Sequence, residues 1–144
     1  MKIHLLTIGK ARGTYAELCT EYLKRLTDPC TVKAMVAPTQ KAECAALLQA
    51  IPENATVVLL DENGKDLTSR ELATKLGNWR DQGVRDLVFV IGGADGLTDA
   101  IKQRGNFTLS LGHKTWPHML ARVMLIEQLY RAQQINQGHP YHRD

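Results

Sequence analysis

Little in this chain marks it for an oxidising compartment, a membrane or a metal. Its 144 residues include only three cysteines. Cys19, Cys30 and Cys44 are odd in number and never spaced Cys-x-x-Cys, which predicts reduced thiols in a cytoplasmic protein and no metal site. No apolar run approaches the roughly 18 residues of a membrane span. The opening segment from Met1 is too short and too broken in its apolar part for a signal peptide, and it reads as a strand. The first glycine turn, Gly9-Lys-Ala-Arg-Gly13, lacks the Gly-x-Gly-x-x-Gly spacing of a dinucleotide fold and the Gly-Lys-Ser/Thr of a phosphate loop. Repeats, linkers and low-complexity segments are missing as well. A hydrophobic content of 44% against 23% charged excludes a disordered or fibrous chain, and the length suits one core rather than two.

What is present is unevenly distributed. Residues 1–101 hold twelve Lys and Arg against thirteen Asp and Glu, whereas residues 102–144 hold six against two, with four of the five histidines. A basic end on a near-neutral body favours a polyanionic partner, and a symmetric dimer doubles the effect.

Strand-like and helix-like segments alternate. Apolar runs predict strands at 2–8, 31–36, 56–60, 87–91 and 107–111. Between them, Thr14-Tyr-Ala-Glu17 and Thr68-Ser-Arg-Glu71 have the spacing of capping boxes. Pro38-Thr39 precedes a helix with an apolar face, a short helix starts at Thr98, and Pro117 fits the first turn of a last helix. Five β–α units with apolar strands predict an α/β fold, a parallel sheet sandwiched between helices, in a single domain.

Ligands of open α/β sheets bind beyond the carboxyl ends of the strands. Glycines gather there twice, in Gly92-Gly-Ala-Asp-Gly96 and in Leu111-Gly112-His113-Lys114-Thr115-Trp116, where free amides can meet a ligand. Taken alone, the first cluster reads better as a turn with positive φ than as a ligand site. Asp61 could hold a ribose or cap a turn. His139-x-x-His142 has the look of a metal pair without a third ligand, and Ser110 lies in a strand without a nucleophile elbow. The last helix carries Met119, Leu120, Val123, Met124, Leu125, Ile126, Leu129 and Tyr130, too apolar for one exposed face. It belongs at the centre of the fold or in a subunit interface, and because other helices already cover the sheet, a twofold homodimer is the expectation.

Four segments then converge on one family. Phe89-Val-Ile-Gly-Gly-Ala-Asp-Gly-Leu97, Leu109-Ser-Leu with Thr115-Trp-Pro-His118, Arg122-Val-Met-Leu-Ile-Glu-Gln-Leu-Tyr-Arg-Ala132 and His139-Pro-Tyr-His-Arg143 closely resemble the ribosomal RNA large-subunit methyltransferase H family, of the SPOUT class. Leu60-Asp-Glu-Asn-Gly-Lys65 is a further match, and the likeness covers essentially the whole chain. The stretch 37–55 looks shorter than the family pattern. The resemblance implies a C-terminal trefoil knot, a device that periodicity cannot reveal. It also implies S-adenosylmethionine held by Leu60, Gly93 and the stretch Leu111, Gly112, His113, Lys114, Thr115 and Trp116. The implied substrate is a pseudouridine in a hairpin loop of 23S rRNA on the ribosome, methylated at N3.

That chemistry must remove an imide proton as the new bond forms. In the tail, His142 is the candidate base, Arg143 the candidate oxyanion or phosphate partner, and Tyr141 a candidate stacking ring. Two rival readings are a nucleotide-binding module without methyl transfer and a non-catalytic RNA-binding dimer. Binding of S-adenosylmethionine discriminates against the first, and cofactor-independent RNA binding would favour the second.

Overall fold

A computed structural model describes all 144 residues, Met1–Asp144. The chain runs β1 (Lys2–Ile8), α1 (Gly13–Leu23), β2 (Cys30–Met35), α2 (Gln40–Ala50), β3 (Thr56–Asp66), α3 (Ser69–Asp81), β4 (Asp86–Ile91), α4 (Asp99–Arg104), β5 (Phe107–Ser110) and α5 (His118–Asn136). The strands form one sheet in the order β2-β1-β4-β3-β5, parallel throughout. Side chains alternate across it. Ile3, Leu5, Val58, Leu87 and Phe89 point to the face that carries α1, α3 and α5. Leu6, Ile8, Val57, Leu59, Val88 and Val90 point to the face that carries α2 and α4. Successive apolar residues in β1, β3 and β4 are thus explained by burial on both sides.

Three expectations need correction. The first concerns capping. Thr68 Oγ1 accepts from Glu71 N at 3.1 Å while the Glu71 carboxylate accepts from Thr68 N at 3.1 Å, a complete capping box. Thr14-Tyr-Ala-Glu17 makes none, because α1 already begins at Gly13 with Arg12 at its cap and no side-chain hydrogen bond there. The spacing is present, but it starts two positions past the cap.

The second concerns β3, which continues through Asp66 instead of ending near Leu60. Its register against β5 shifts between Leu60 and Lys65, both of which pair with Leu109. Gly64 permits this close approach, since a Cβ there would lie 2.7 Å from the Thr108 carbonyl oxygen.

The third concerns the last helix. Leu125, Ile126 and Leu129 are fully buried within the single chain, packed with α1, α3 and the sheet. The helix is apolar on most sides because it is the centre of one layer, so these residues are core and not interface. Met124, Glu127 and Gln128 instead reach a surface groove of about 520 Å³ shared with Leu18, Tyr22 and Leu67.

Candidate active site

At the carboxyl edge of the sheet, the ends of β3, β4 and β5 close around a cavity of about 740 Å³, within the range of roughly 300–1,000 Å³ typical of small-molecule sites. Its walls are residues 60–63, 92–97, 111–112 and 114–118, with Ala121 of α5 also in the lining. The walls are tied to each other. Thr115 Oγ1 donates to Glu62 Oε2 at 2.6 Å, joining the third wall to the first. Trp116 Nε1 donates back to the Leu111 carbonyl at 3.0 Å, and Ser110 Oγ donates to the Gly112 carbonyl at 2.5 Å. In the middle wall, Gly96 N donates to Gly93 O at 3.0 Å, and Gln40 of α2 donates to the Asp95 carbonyl at 2.7 Å.

These ties use carbonyls and side chains, leaving the amides of residues 112–116 with no partner in the protein. Four of those residues, Gly112, Lys114, Thr115 and Trp116, line the cavity, so their amides are candidate donors for a ligand. Gly112 permits it with φ +99° and open space where a Cβ would be. The titratable lining comprises Asp61, Glu62 and Asp95 against Lys114 and His118. That balance suits a ligand offering hydroxyls and a positive centre more than a bare phosphate. Asp61 Oδ1 accepts from Asn63 N at 2.8 Å, so it caps a turn, and it also lines the cavity.

Residues 1–142 match the family model described as predicted SPOUT methyltransferase. The ribosomal RNA large subunit methyltransferase H of Rhodospirillum centenum is 48% identical over 151 residues, covering 99% of this chain and 99% of the relative. That of Paramagnetospirillum magneticum is 45% identical with the same coverage. The chain belongs to this family of SPOUT methyltransferases. Solved structures agree on the fold. A probable methylase family protein from Haemophilus influenzae superposes with a TM-score of 0.60 at 11% identity, over 99% of this chain and 70% of the other. A putative methyltransferase from Legionella pneumophila, in complex with bound SAM, superposes with 0.54 at 16% identity, over 92% and 66%.

Of the residues that family resemblance singles out, Leu60, Gly93, Leu111, Gly112, Lys114, Thr115 and Trp116 all line the cavity, while His113 is exposed and outside its lining. A Cβ on Gly93 would press on the Glu43 carboxylate at 3.1 Å and Ile8 Cγ2 at 3.3 Å, so the missing side chain makes room for α2 and β1 at a residue that also lines the cavity. His118 and Ala121 were missed as lining residues, although Thr115-Trp-Pro-His118 lay within the matched motif. The Nδ1 of His118 is buried without a hydrogen-bond partner.

The tail is somewhere else. Tyr141 donates its hydroxyl to Glu127 Oε1 at 3.0 Å and stands edge-on to Tyr130, with 4.7 Å between ring centroids. Burial, with help from that hydrogen bond, pushes its phenol up to about 12, so it stays neutral. His142 Nδ1 lies 3.1 Å from Arg131 Nη1, and its Nε2 lies 2.8 Å from Asp144 Oδ1. A guanidinium only donates, so Nδ1 is the acceptor and Nε2 carries the proton. Both His142 nitrogens are thus hydrogen-bonded within the chain, and the Tyr141 hydroxyl is tied to α5. Arg143 is exposed and makes no ion pair. The tail binds α5 around Glu127 and Arg131, whereas the cavity sits at the first turn, near His118. At about 1.5 Å per residue the separation along the helix is on the order of 15–20 Å.

Proposed function

We propose that this protein is a homodimeric S-adenosylmethionine-dependent methyltransferase of large-subunit ribosomal RNA, acting at N3 of a pseudouridine in a hairpin loop of the 23S molecule. The observation that carries the reading is the cavity where three β–α loops converge and where Gly112, Lys114, Thr115 and Trp116 bring amides without a partner in the chain, in a chain of the methyltransferase H family.

The cofactor fits what the cavity offers. Free amides at Gly112 and at residues 114–116 suit its carboxylate and adenine acceptors, and Asp61, Glu62 and Asp95 suit its ribose hydroxyls and positive sulfur. When bound, it supplies an electrophilic methyl group. Everything else falls to the protein. The loops must hold the target base in line with that methyl, the imide proton must pass to water at the site, and a cation must stabilise the ring as that proton leaves. Arg143 is the free cation of the tail. Within one chain the tail docks on the order of 15–20 Å along α5 from the cavity, so on this reading a second copy delivers it. The groove at Leu18, Tyr22 and Met124 is the surface on which that copy is expected to sit. The C-terminal knot of the SPOUT class belongs to the same reading, supported by the way residues 111–117 pass beside the other two loops before α5 enters the core.

The test is calorimetric titration with S-adenosylmethionine, followed by transfer of its labelled methyl to large ribosomal subunits lacking the modification. Cofactor-dependent labelling of one pseudouridine is expected. Ribosome binding of equal strength with and without cofactor, and no labelling, would favour a non-catalytic RNA-binding protein.

A further inference from the structure

A second concavity, of about 430 Å³, opens beside the first and has no part in the cofactor reading. Lys10, Arg12, Tyr15, Val36 and Met119 line it, with Gly9 at its base. Its composition is unusual for plain surface. Val36 is 85% exposed and Tyr15 39% exposed, and neither Lys10 nor Arg12 enters any ion pair. Two unpaired cations beside a half-open aromatic ring and two apolar side chains offer a phosphate partner and a stacking platform in one place.

The groove is held in shape by the fold. Gly9 N donates to the Met35 carbonyl at 2.8 Å, and the buried Arg122 guanidinium donates to the Gly9 carbonyl at 2.8 Å. Its position is equally specific. His118 lines the cofactor cavity and the next residue, Met119, lines this groove, so the first turn of α5 is the wall between the two.

We infer that the groove is an RNA subsite, taking a nucleotide that neighbours the one being methylated, with its phosphate against Lys10 and Arg12 and its base on Tyr15 and Met119. This rests on the methyltransferase reading for the identity of the neighbouring site. An unpaired loop fits it because stacking on an exposed ring requires a base released from its duplex, and stacking tolerates any base. The groove then sets which unpaired residue reaches the methyl group, by holding the strand at a fixed step from the cofactor.

The experiment compares the full-length protein with Lys10→Ala/Arg12→Ala, Tyr15→Ala and Tyr15→Phe. Direct binding of a fluorescein-labelled RNA hairpin with a single-stranded loop is measured across salt concentrations, alongside cofactor affinity and methyl transfer to ribosomal subunits. The double variant is expected to bind RNA more weakly and to lower the salt-dependence slope by about 0.7, the share of one neutralised phosphate on a single strand. Tyr15→Ala is expected to weaken RNA binding on the order of ten-fold, with Tyr15→Phe restoring it. Cofactor affinity and kcat should hold while KM for the ribosomal subunit rises. RNA affinity and slope equal to wild type in both the double variant and Tyr15→Ala would overturn the subsite. So would a change in oligomeric state in those variants, which would make the groove a subunit contact. Wild-type protein that binds the hairpin through these residues but transfers no methyl would instead sink the methyltransferase reading alone.

Discussion

Arg122 on α5 donates to the carbonyl of Gly9 at the end of β1, across 113 positions of sequence, and to the carbonyl of Ile8 at 3.1 Å. Its side chain is 2% exposed, burial pulls its affinity for the proton down, and its Nε has no partner. A buried cation answered only by carbonyls and one nearby thiol, Cys19, is a local liability that fixes the turn leading into α1.

Arg122→Ala should therefore cost about 3 kcal/mol, through a cavity and two carbonyls left without a donor. Arg122→Met should cost less, because it fills the space and removes the desolvated charge. Chemical denaturation measures both. Equal stability of wild type and Arg122→Ala would show that the anchor does not hold the turn.

Thr68→Ala should lower stability by about 1 kcal/mol through loss of the cap on α3. Thr14→Ala should change it by less than about 0.5 kcal/mol, as for an exposed site without such a feature. Thermal unfolding of the two variants decides whether the sequence spacing or the observed hydrogen bonds carry the energy. A larger loss at Thr14 would contradict the assignment.

These two threonines show what the sequence could and could not reveal. Their motifs are alike, and only the backbone decides which one stands at a helix start. The strands and the parallel α/β architecture were readable because apolar runs and glycine turns are local signals. The extension of β3 was not, because Asp61-Glu-Asn-Gly-Lys65 has turn chemistry, and its pairing depends on a distant strand reaching Gly64. The seven lining residues were carried over from motifs, without geometry. The docking of Tyr141 on Glu127 and the groove at Lys10 and Tyr15 are tertiary facts with no local signature. The apolarity of α5 admitted two explanations, and packing between α1 and α3 selected the core.

That selection redirects the dimer test. Leu18→Glu/Met124→Glu should give folded monomers, since both side chains face the groove, whereas Leu125→Glu should prevent folding, since it buries a charge in the core. Light scattering with circular dichroism separates the cases. A Leu18→Glu/Met124→Glu protein that remains dimeric would place the interface on another face.

The tail should be held in a pH-dependent way. Arg70, and then His142, hold the Asp144 carboxyl below its usual range. The sign follows: docking gains its full contribution above the ordinary carboxylate value of about 3.9 and loses it as pH falls through the lower docked value. Ring-proton shifts of Tyr130 and Tyr141 should report release at acid pH, and Arg70→Ala should move that release upward. Identical titrations in both proteins would show that the Arg70 pair does not secure the tail.

In the proposed dimer, one copy supplies the cofactor cavity and another supplies the tail. Two inactive variants test it: one lacking residues 141–144, the other carrying Gly112→Val in the cavity wall, where φ is +99° and no protein atom crowds the new side chain. Each is assayed alone and after mixing under conditions that exchange subunits, by labelled methyl transfer to ribosomal subunits. The account requires that each fails alone and that the mixture regains activity, because a mixed dimer contains one intact cavity facing one intact tail. A mixture as inactive as its components, with mixed dimers shown to form, would contradict it.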